Sequence, residues 1–205
     1  MAPRFHWLTL PDGEVGYLSQ LFNLSEQQAY FQFLMNSVDW QYETLSLFGK
    51  QVVVPRKVAW YGDSEAVYAY SGVLHQPLPW TAELTKIKQK VEHVCGEHFN
   101  SVLLNLYQNG ADYMGWHSDD EPELGDDPVI ASVSFGASRD FKLRHKKYRK
   151  SQQPVVTQTL ISGSCLLMKG ATQRYWQHSV PKRSLNKVSE PRVNLTFRLV
   201  KLAEI

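Results

Sequence analysis

Cysteine is scarce in this chain. Only Cys95 and Cys165 occur in 205 residues. Two cysteines cannot build the disulfide framework of a small secreted domain, and a reducing compartment fits such usage. Cys95 falls in a helical pattern and Cys165 in an apolar run, so each reads as a small core hydrophobe. Long apolar runs are also missing. No stretch approaches the roughly 20 residues that span a bilayer. The opening residues, Met1-Ala2-Pro3-Arg4-Phe5-His6, hold no apolar signal core. The expectation is a soluble intracellular monomer without a membrane partner. An excess of one charge is absent as well: 22 Lys and Arg face 20 Asp and Glu, a net charge of +2. Any nucleic-acid role must therefore come from a local basic patch. There is no internal repeat and no low-complexity linker.

What is present is an ordinary globular composition, 43% hydrophobic and 20% charged, enough for one domain over residues 1–205. Two helices are expected early. Over 25–38, Ser25 and Gln28 predict a capping box, followed by Phe31, Leu34, Met35 and Val38 at helical spacing. Pro79-Trp80-Thr81 opens a second helix, with Leu84, Ile87, Val91, Val94 and Cys95 as its apolar stripe. Between them, 45–70 reads as short strands and turns broken by Gly49, Pro55 and Gly62-Asp63. From 99 onward the pattern is short strands: 101–107, 129–135, 141–144, 155–161, the apolar run 164–169, and 193–200. The fold class is α+β, β-dominated. A sandwich or jelly roll (double-stranded β-helix) is expected, with two N-terminal helices bracing one sheet.

The chemistry-bearing residues lie mostly in the second half. In Trp116-His117-Ser118-Asp119, His117 and Asp119 are two apart. Residues i and i+2 of an extended segment point the same way, so an imidazole and a carboxylate can aim at one point. His178, in Gln177-His178-Ser179-Val180-Pro181, supplies a second imidazole. Two histidines and one carboxylate on one face are the donor set of a non-haem iron(II) oxygenase. An HxD pair alone is common by chance, but the segment 192–198 adds weight. Arg192, Asn194, Thr196 and Arg198 alternate with Val193, Leu195 and Phe197. Four polar residues on an inward face are costly in a plain core and make sense facing a dicarboxylate, which an arginine fork grips bidentately. A solvated strand face is the plainer alternative.

Several motifs occur in order: Asn105-Leu106-Tyr107, His117-x-Asp119, Ile130-Ala131-Ser132-Val133-Ser134-Phe135-Gly136, Arg139-Asp140-Phe141, His178-Ser179-Val180-Pro181 and Pro191-Arg192-Val193-Asn194-Leu195-Thr196-Phe197-Arg198. Over about 45–200 the chain resembles the AlkB family of Fe(II)- and 2-oxoglutarate-dependent nucleic-acid dealkylases. It is most similar to the subtype that repairs double-stranded DNA.

The resemblance implies Fe(II) as cofactor, held by His117, Asp119 and His178, with 2-oxoglutarate and O2 as cosubstrates. Arg192 would pair with the distal carboxylate of 2-oxoglutarate, near Tyr107 and Asn194. Arg198 and Asn105 would sit toward its iron-bound end, with Thr196 between. Decarboxylation to succinate and CO2 would accompany hydroxylation of an N-alkyl group on a flipped base, of the 1-methyladenine or 3-methylcytosine type. The hemiaminal would then release an aldehyde and the repaired base. Tyr68, Ala69 and Tyr70 would line the base pocket, and Asp120 and Glu121 would touch the base. Alternating tyrosines are equally packing residues of a strand, and Asp120 and Glu121 equally exposed loop acids. Phe48, Gly49 and Lys50, followed by Val54-Pro55-Arg56, match the finger that fills the gap left by a flipped base; on its own, Phe48 before a glycine reads as a hairpin-tip or core aromatic.

Within 142–150, Arg144, Lys146, Lys147 and Arg149, together with Arg56, would contact the DNA backbone; basic runs are otherwise solvated faces. About 1–100 would then hold the helices and a nucleotide-recognition hairpin region, and about 101–200 the catalytic jelly roll. The expected partner is alkylated DNA, double-stranded first, with single-stranded DNA or RNA as further candidates. The compartment would be the cytoplasm, at the nucleoid, in a bacterium, or the nucleus in a eukaryote. The alternatives are an RNA or protein demethylase of the same fold, a non-catalytic metal-binding jelly roll, and a zinc hydrolase. The two arginines argue against the last two.

Overall fold

The structure, a computed structural model, describes residues 4–47, 50–70, 73–151 and 154–201, with the side chains at 45–52, 68–75 and 150–151 not among those described. The chain runs β1 (His6–Trp7), β2 (Glu14–Leu18), α1 (Leu24–Ser37), β3 (Gln41–Leu47), β4 (Lys50–Gly62), β5 (Tyr68–Tyr70), β6 (Val73–His75), α2 (Ala82–Cys95), β7 (Ser101–Tyr107) and β8 (Met114–His117). After a 3-10 turn at Pro122–Leu124 come β9 (Ile130–Gly136), β10 (Arg139–His145), α3 (Tyr148–Ser151), β11 (Val156–Leu160), β12 (Cys165–Lys169), α4 (Thr172–Tyr175), β13 (Trp176–Val180) and β14 (Arg192–Arg198).

One sheet has the order β1-β2-β12-β9-β14-β7-β4-β3, and a smaller one the order β11-β10-β13-β8. Their strand pairs are antiparallel. Two apolar clusters explain the layers. The first joins Leu34 of α1 and Leu84, Ile87 and Val91 of α2 to Leu104, Val133, Val193, Leu195 and Phe197 on the outer face of the large sheet. The second lies between the sheets and contains Ile130, Leu166, Met168, Phe141, Leu143 and Trp176. Strand β12 feeds both, Cys165 and Leu167 outward and Leu166 and Met168 inward. A strand buried on both faces reads as a continuous apolar run.

The helix start differs from expectation. Asn23, not Ser25, is the N-cap of α1: its side chain accepts from Glu26 N–H, and Glu26 reaches back to Asn23 N–H at 2.8 Å. The box is the same device set two residues earlier, because an Asn cap with Glu at N3 outcompetes Ser with Gln. Helix α2 opens as expected after Thr81, which accepts from Leu84 N–H, and ends at Gly96.

Pro55 does not break the chain. Strand β4 runs unbroken through it. Opposite it, the β3–β4 register slips between Tyr42↔Lys57 and Thr44↔Val53. Val54, Pro55 and Arg56 therefore face Glu43 alone, and the missing Pro N–H falls in a bulge, where no ladder bond is lost. The first hundred residues extend both sides of the large sheet, with β2 paired to β12 and β4 to β7. At the end of β9, Gly136 has φ +85°, and a Cβ there would lie 2.4 Å from Pro191 O. Only glycine lets the chain approach so closely where β14 begins.

Candidate metal and cosubstrate site

The polar face of β14 looks into a cavity of about 670 Å³. Its walls include His117, Asp119 and His178, together with Asn105, Tyr107, Arg192, Asn194, Thr196 and Arg198. All nine metal and cosubstrate candidates thus share one space. His117 ends β8, and His178 lies opposite it in the register of β13. Asp119 lies two residues past the end of β8, where its N–H donates to Gln173 Oε1 at 3.0 Å.

Asp119 Oδ1 is 3.7 Å from His117 Nε2 and 4.0 Å from His178 Nε2. One ligand atom from each residue falls within 4.8 Å of the others, the single such group found among the described residues. His117 Nδ1 is 2.9 Å from Gly115 O. A carbonyl only accepts, so the neutral ring keeps its proton on Nδ1 and turns the Nε2 lone pair toward Asp119. Burial, then the neighbouring His117, lowers the His178 pKa to about 3 against the pull of Asp119. A neutral imidazole is the form that binds metal. Burial by itself would push the Asp119 carboxyl up, but Arg198, by charge and hydrogen bond, and the two neighbouring histidines together outweigh it and hold Asp119 well below the usual carboxylate range. The donor set, two imidazoles and one carboxylate at a cavity wall, fits iron(II) with positions left open.

The cosubstrate candidates form a buried polar network. Arg198 Nη2 donates to Asp119 Oδ2 at 2.9 Å. Asn194 Nδ2 donates to Ser132 Oγ at 2.7 Å, and Asn194 Oδ1 accepts from Thr196 Oγ at 3.0 Å and from Asn105 Nδ2 at 3.4 Å. Arg192 is 1% exposed. Its Nη2 donates to Ser134 Oγ at 2.9 Å, while Nε and Nη1 have no partner. Burial pushes its pKa down to about 10. A buried guanidinium with two unmatched nitrogens is costly unless an anion meets it, so the cavity fits a carboxylate of 2-oxoglutarate as well as the metal.

Arg56, expected at the DNA backbone, belongs to this network instead. It is 7% exposed, lines the cavity and donates from Nε to Asn105 Oδ1 at 2.6 Å. Burial removes it from the outer surface where phosphates would lie. Arg139 is a site neighbour to which the sequence reading gave no role; its signal was its phase, alternating with Phe141, Leu143 and His145 on the buried side of β10. Glu121 lines the cavity, whereas Asp120 is exposed and pairs with Lys146 at 3.0 Å. Arg144 is half-buried, with its guanidinium 4.3 Å from the Trp116 ring centroid and bonded to Gln177. Lys147 and Arg149 are exposed. Phe48 and Gly49 lie outside the described residues. Lys50, Tyr68, Ala69 and Tyr70 are described only as strand backbone.

Two sheets enclosing a His-x-Asp…His cluster beside a buried arginine define the class of non-haem metal oxygenases on a double-stranded β-helix. Residues 14–198 match the 2OG-Fe(II) oxygenase superfamily. Human DNA oxidative demethylase ALKBH2 is 44% identical over 191 residues, covering 90% of this chain and 72% of that protein. Human alpha-ketoglutarate-dependent dioxygenase alkB homolog 3 is 47% identical over 152 residues, covering 71% of this chain and 52% of that one. The solved structure of OsALKBH1 shares the fold, with a TM-score of 0.64 at 17% identity, over 96% of this chain and 100% of that one. The chain belongs to the 2OG-Fe(II) oxygenase superfamily and, within it, to the AlkB family. It is an Fe(II)- and 2-oxoglutarate-dependent dioxygenase. No helix among the described residues is long and apolar enough to cross a membrane.

Proposed function

We propose that this protein removes alkyl groups oxidatively from DNA bases, with duplex DNA as the preferred substrate and the nucleoid or nucleus as its place of work. The observation that carries the reading is a division of labour on one carboxylate: Oδ2 of Asp119 is held by Arg198, while Oδ1 faces both histidine Nε2 atoms. Beside it, Arg192 offers two unmatched donor nitrogens, Nε and Nη1. The identity to a DNA oxidative demethylase over most of the chain supports DNA as the target.

When bound, iron(II) with 2-oxoglutarate and O2 supplies the oxidation of an N-alkyl carbon, with release of succinate and CO2. The chain supplies the rest. His117, Asp119 and His178 would hold the metal. Arg192 grips the distal carboxylate of 2-oxoglutarate, and Tyr107 packs its ring beneath that guanidinium, 5.2 Å from carbon to centroid. Asn105, Asn194 and Thr196 fix the floor. Glu121, on the cavity wall, favours a cationic alkylated base over its neutral parent. The hydroxylated product is a hemiaminal, which collapses to an aldehyde and the repaired base without a protein base. Phe48, Gly49 and Lys50 fill the gap left by the flipped base, and Tyr68, Ala69 and Tyr70 line its pocket. Lys146, Lys147 and Arg149 meet phosphates.

The test is succinate formation with iron(II), with and without methylated duplex oligonucleotide. Turnover that rises with the oligonucleotide and vanishes in His178→Ala supports the reading; turnover indifferent to damaged DNA removes it. Phe48→Ala should slow repair of duplexes more than of single strands.

A further inference from the structure

Arg139 is 2% exposed. Its hydrogen bonds go to main-chain carbonyls: Nη1 donates to Asn109 O at 3.1 Å, and Nη2 to Asp112 O and Pro181 O, each at 2.8 Å. Asn109 and Asp112 lie in the connection from β7 to β8, and Pro181 directly follows β13. Those three strands carry Asn105 and Tyr107, His117, and His178. One guanidinium therefore ties the ends of every strand that brings a site residue from this side. The same two segments meet again at Gly110. Its carbonyl accepts from Arg183 N–H at 2.7 Å, its N–H donates to Val188 O at 2.8 Å, and a Cβ there would lie 2.6 Å from Arg183 O.

The guanidinium also lies behind the cosubstrate pocket, against Tyr107, which lines it. Its carbon is 5.5 Å from the centroid of the Tyr107 ring, the ring that also carries the Arg192 guanidinium at 5.2 Å. Two buried cations thus share one aromatic ring. A mere loop tie could be made by neutral amides, and a second buried cation beside Arg192 adds repulsion. Burial pushes the Arg139 pKa down, and its charge in turn helps lower that of Arg192. Asp112 and Asp140 offset part of the Arg139 charge, and a dianion in the cavity would offset the repulsion between the two guanidiniums further.

We propose that Arg139 is a positioning residue for 2-oxoglutarate: it fixes the Tyr107–Arg192 pair by stapling the β7–β8 turn to the β13–β14 loop. The inference rests on the dioxygenase reading above. A staple needs the planar fork, because a lysine keeps the charge but cannot reach three carbonyls in one plane.

The experiment measures 2-oxoglutarate binding by anaerobic calorimetry on the iron(II)-loaded protein, beside steady-state kinetics. Arg139→Lys should weaken 2-oxoglutarate binding by about tenfold and raise its KM in parallel. The kcat at saturating 2-oxoglutarate should change by less than about threefold, and the KM for DNA should stay unchanged. A merely structural role would lower the melting temperature and leave the affinity of the folded protein alone. A folded Arg139→Lys protein that binds 2-oxoglutarate as the wild type does overturns the proposal. If that variant does not fold, Gly110→Ala carries the test, since its Cβ pushes the same two segments apart; the same weakening is expected, and wild-type affinity overturns the proposal there too. Wild-type protein that fails to bind 2-oxoglutarate at all removes the dioxygenase reading, and this inference with it.

Discussion

Arg198 and Asp119 form the ion pair on which the metal cluster is oriented. Nη2 donates to Oδ2 at 2.9 Å, on a carboxylate whose side chain is 4% exposed. The pairing leaves Oδ1 as the oxygen that faces both imidazoles. Removing a hydrogen-bond partner of a ligating group typically weakens metal binding 10- to 100-fold. Arg198→Leu is therefore expected to lower iron(II) affinity by about that factor, read by chelator competition. Undiminished affinity would show that Asp119 holds its orientation without the pair.

Arg192 makes an opposite prediction for stability. Its guanidinium is buried with Nε and Nη1 unmatched, so in the ligand-free protein it costs more than it contributes. Arg192→Met should melt at the same temperature as the wild type or higher when no ligand is present. Wild-type protein at 100 times the dissociation constant of 2-oxoglutarate should gain about 2.7 kcal/mol, and the variant should gain almost none at that concentration. Thermal melts with and without 2-oxoglutarate decide it; a variant that keeps the ligand-induced shift would take Arg192 out of the carboxylate site.

The cap of α1 gives a test away from the site. Asn23→Ala should cost about 1 kcal/mol, and Ser25→Ala, an exposed position that only donates to the Asn23 side chain, less than about 0.5 kcal/mol. Urea unfolding of both variants measures the difference. Equal effects would contradict the reciprocal Asn23–Glu26 pairing.

The alternating face of β14 was legible because period two is a local property. Arg192, Asn194 and Thr196 point into the cavity and Val193, Leu195 and Phe197 away from it, as spacing alone predicts. The His117-x-Asp119 pair was legible for the same reason, although only His117 lies in a strand. Arg56 was misplaced because Pro55 reads locally as a break. Once β4 is seen as one strand, Arg56 falls in phase with Val58 and Trp60, which also line the cavity. Arg139 stayed without a role because its acceptors are carbonyls of two distant loops, and no local pattern encodes them. Ser132 and Ser134 sat in a quoted motif, yet their value as partners of Asn194 and Arg192 depends on β9 lying beside β14.

The unbroken course of β4 links the cosubstrate pocket to a second proposed site. Through Arg56 it reaches Asn105, and through Asn105 it reaches Asn194 on the strand that carries Arg192. At its other end it enters the hairpin proposed to meet DNA. Coupling between two sites is reciprocal in free energy. If DNA shifts 2-oxoglutarate affinity by way of this strand, 2-oxoglutarate must shift DNA affinity by the same factor.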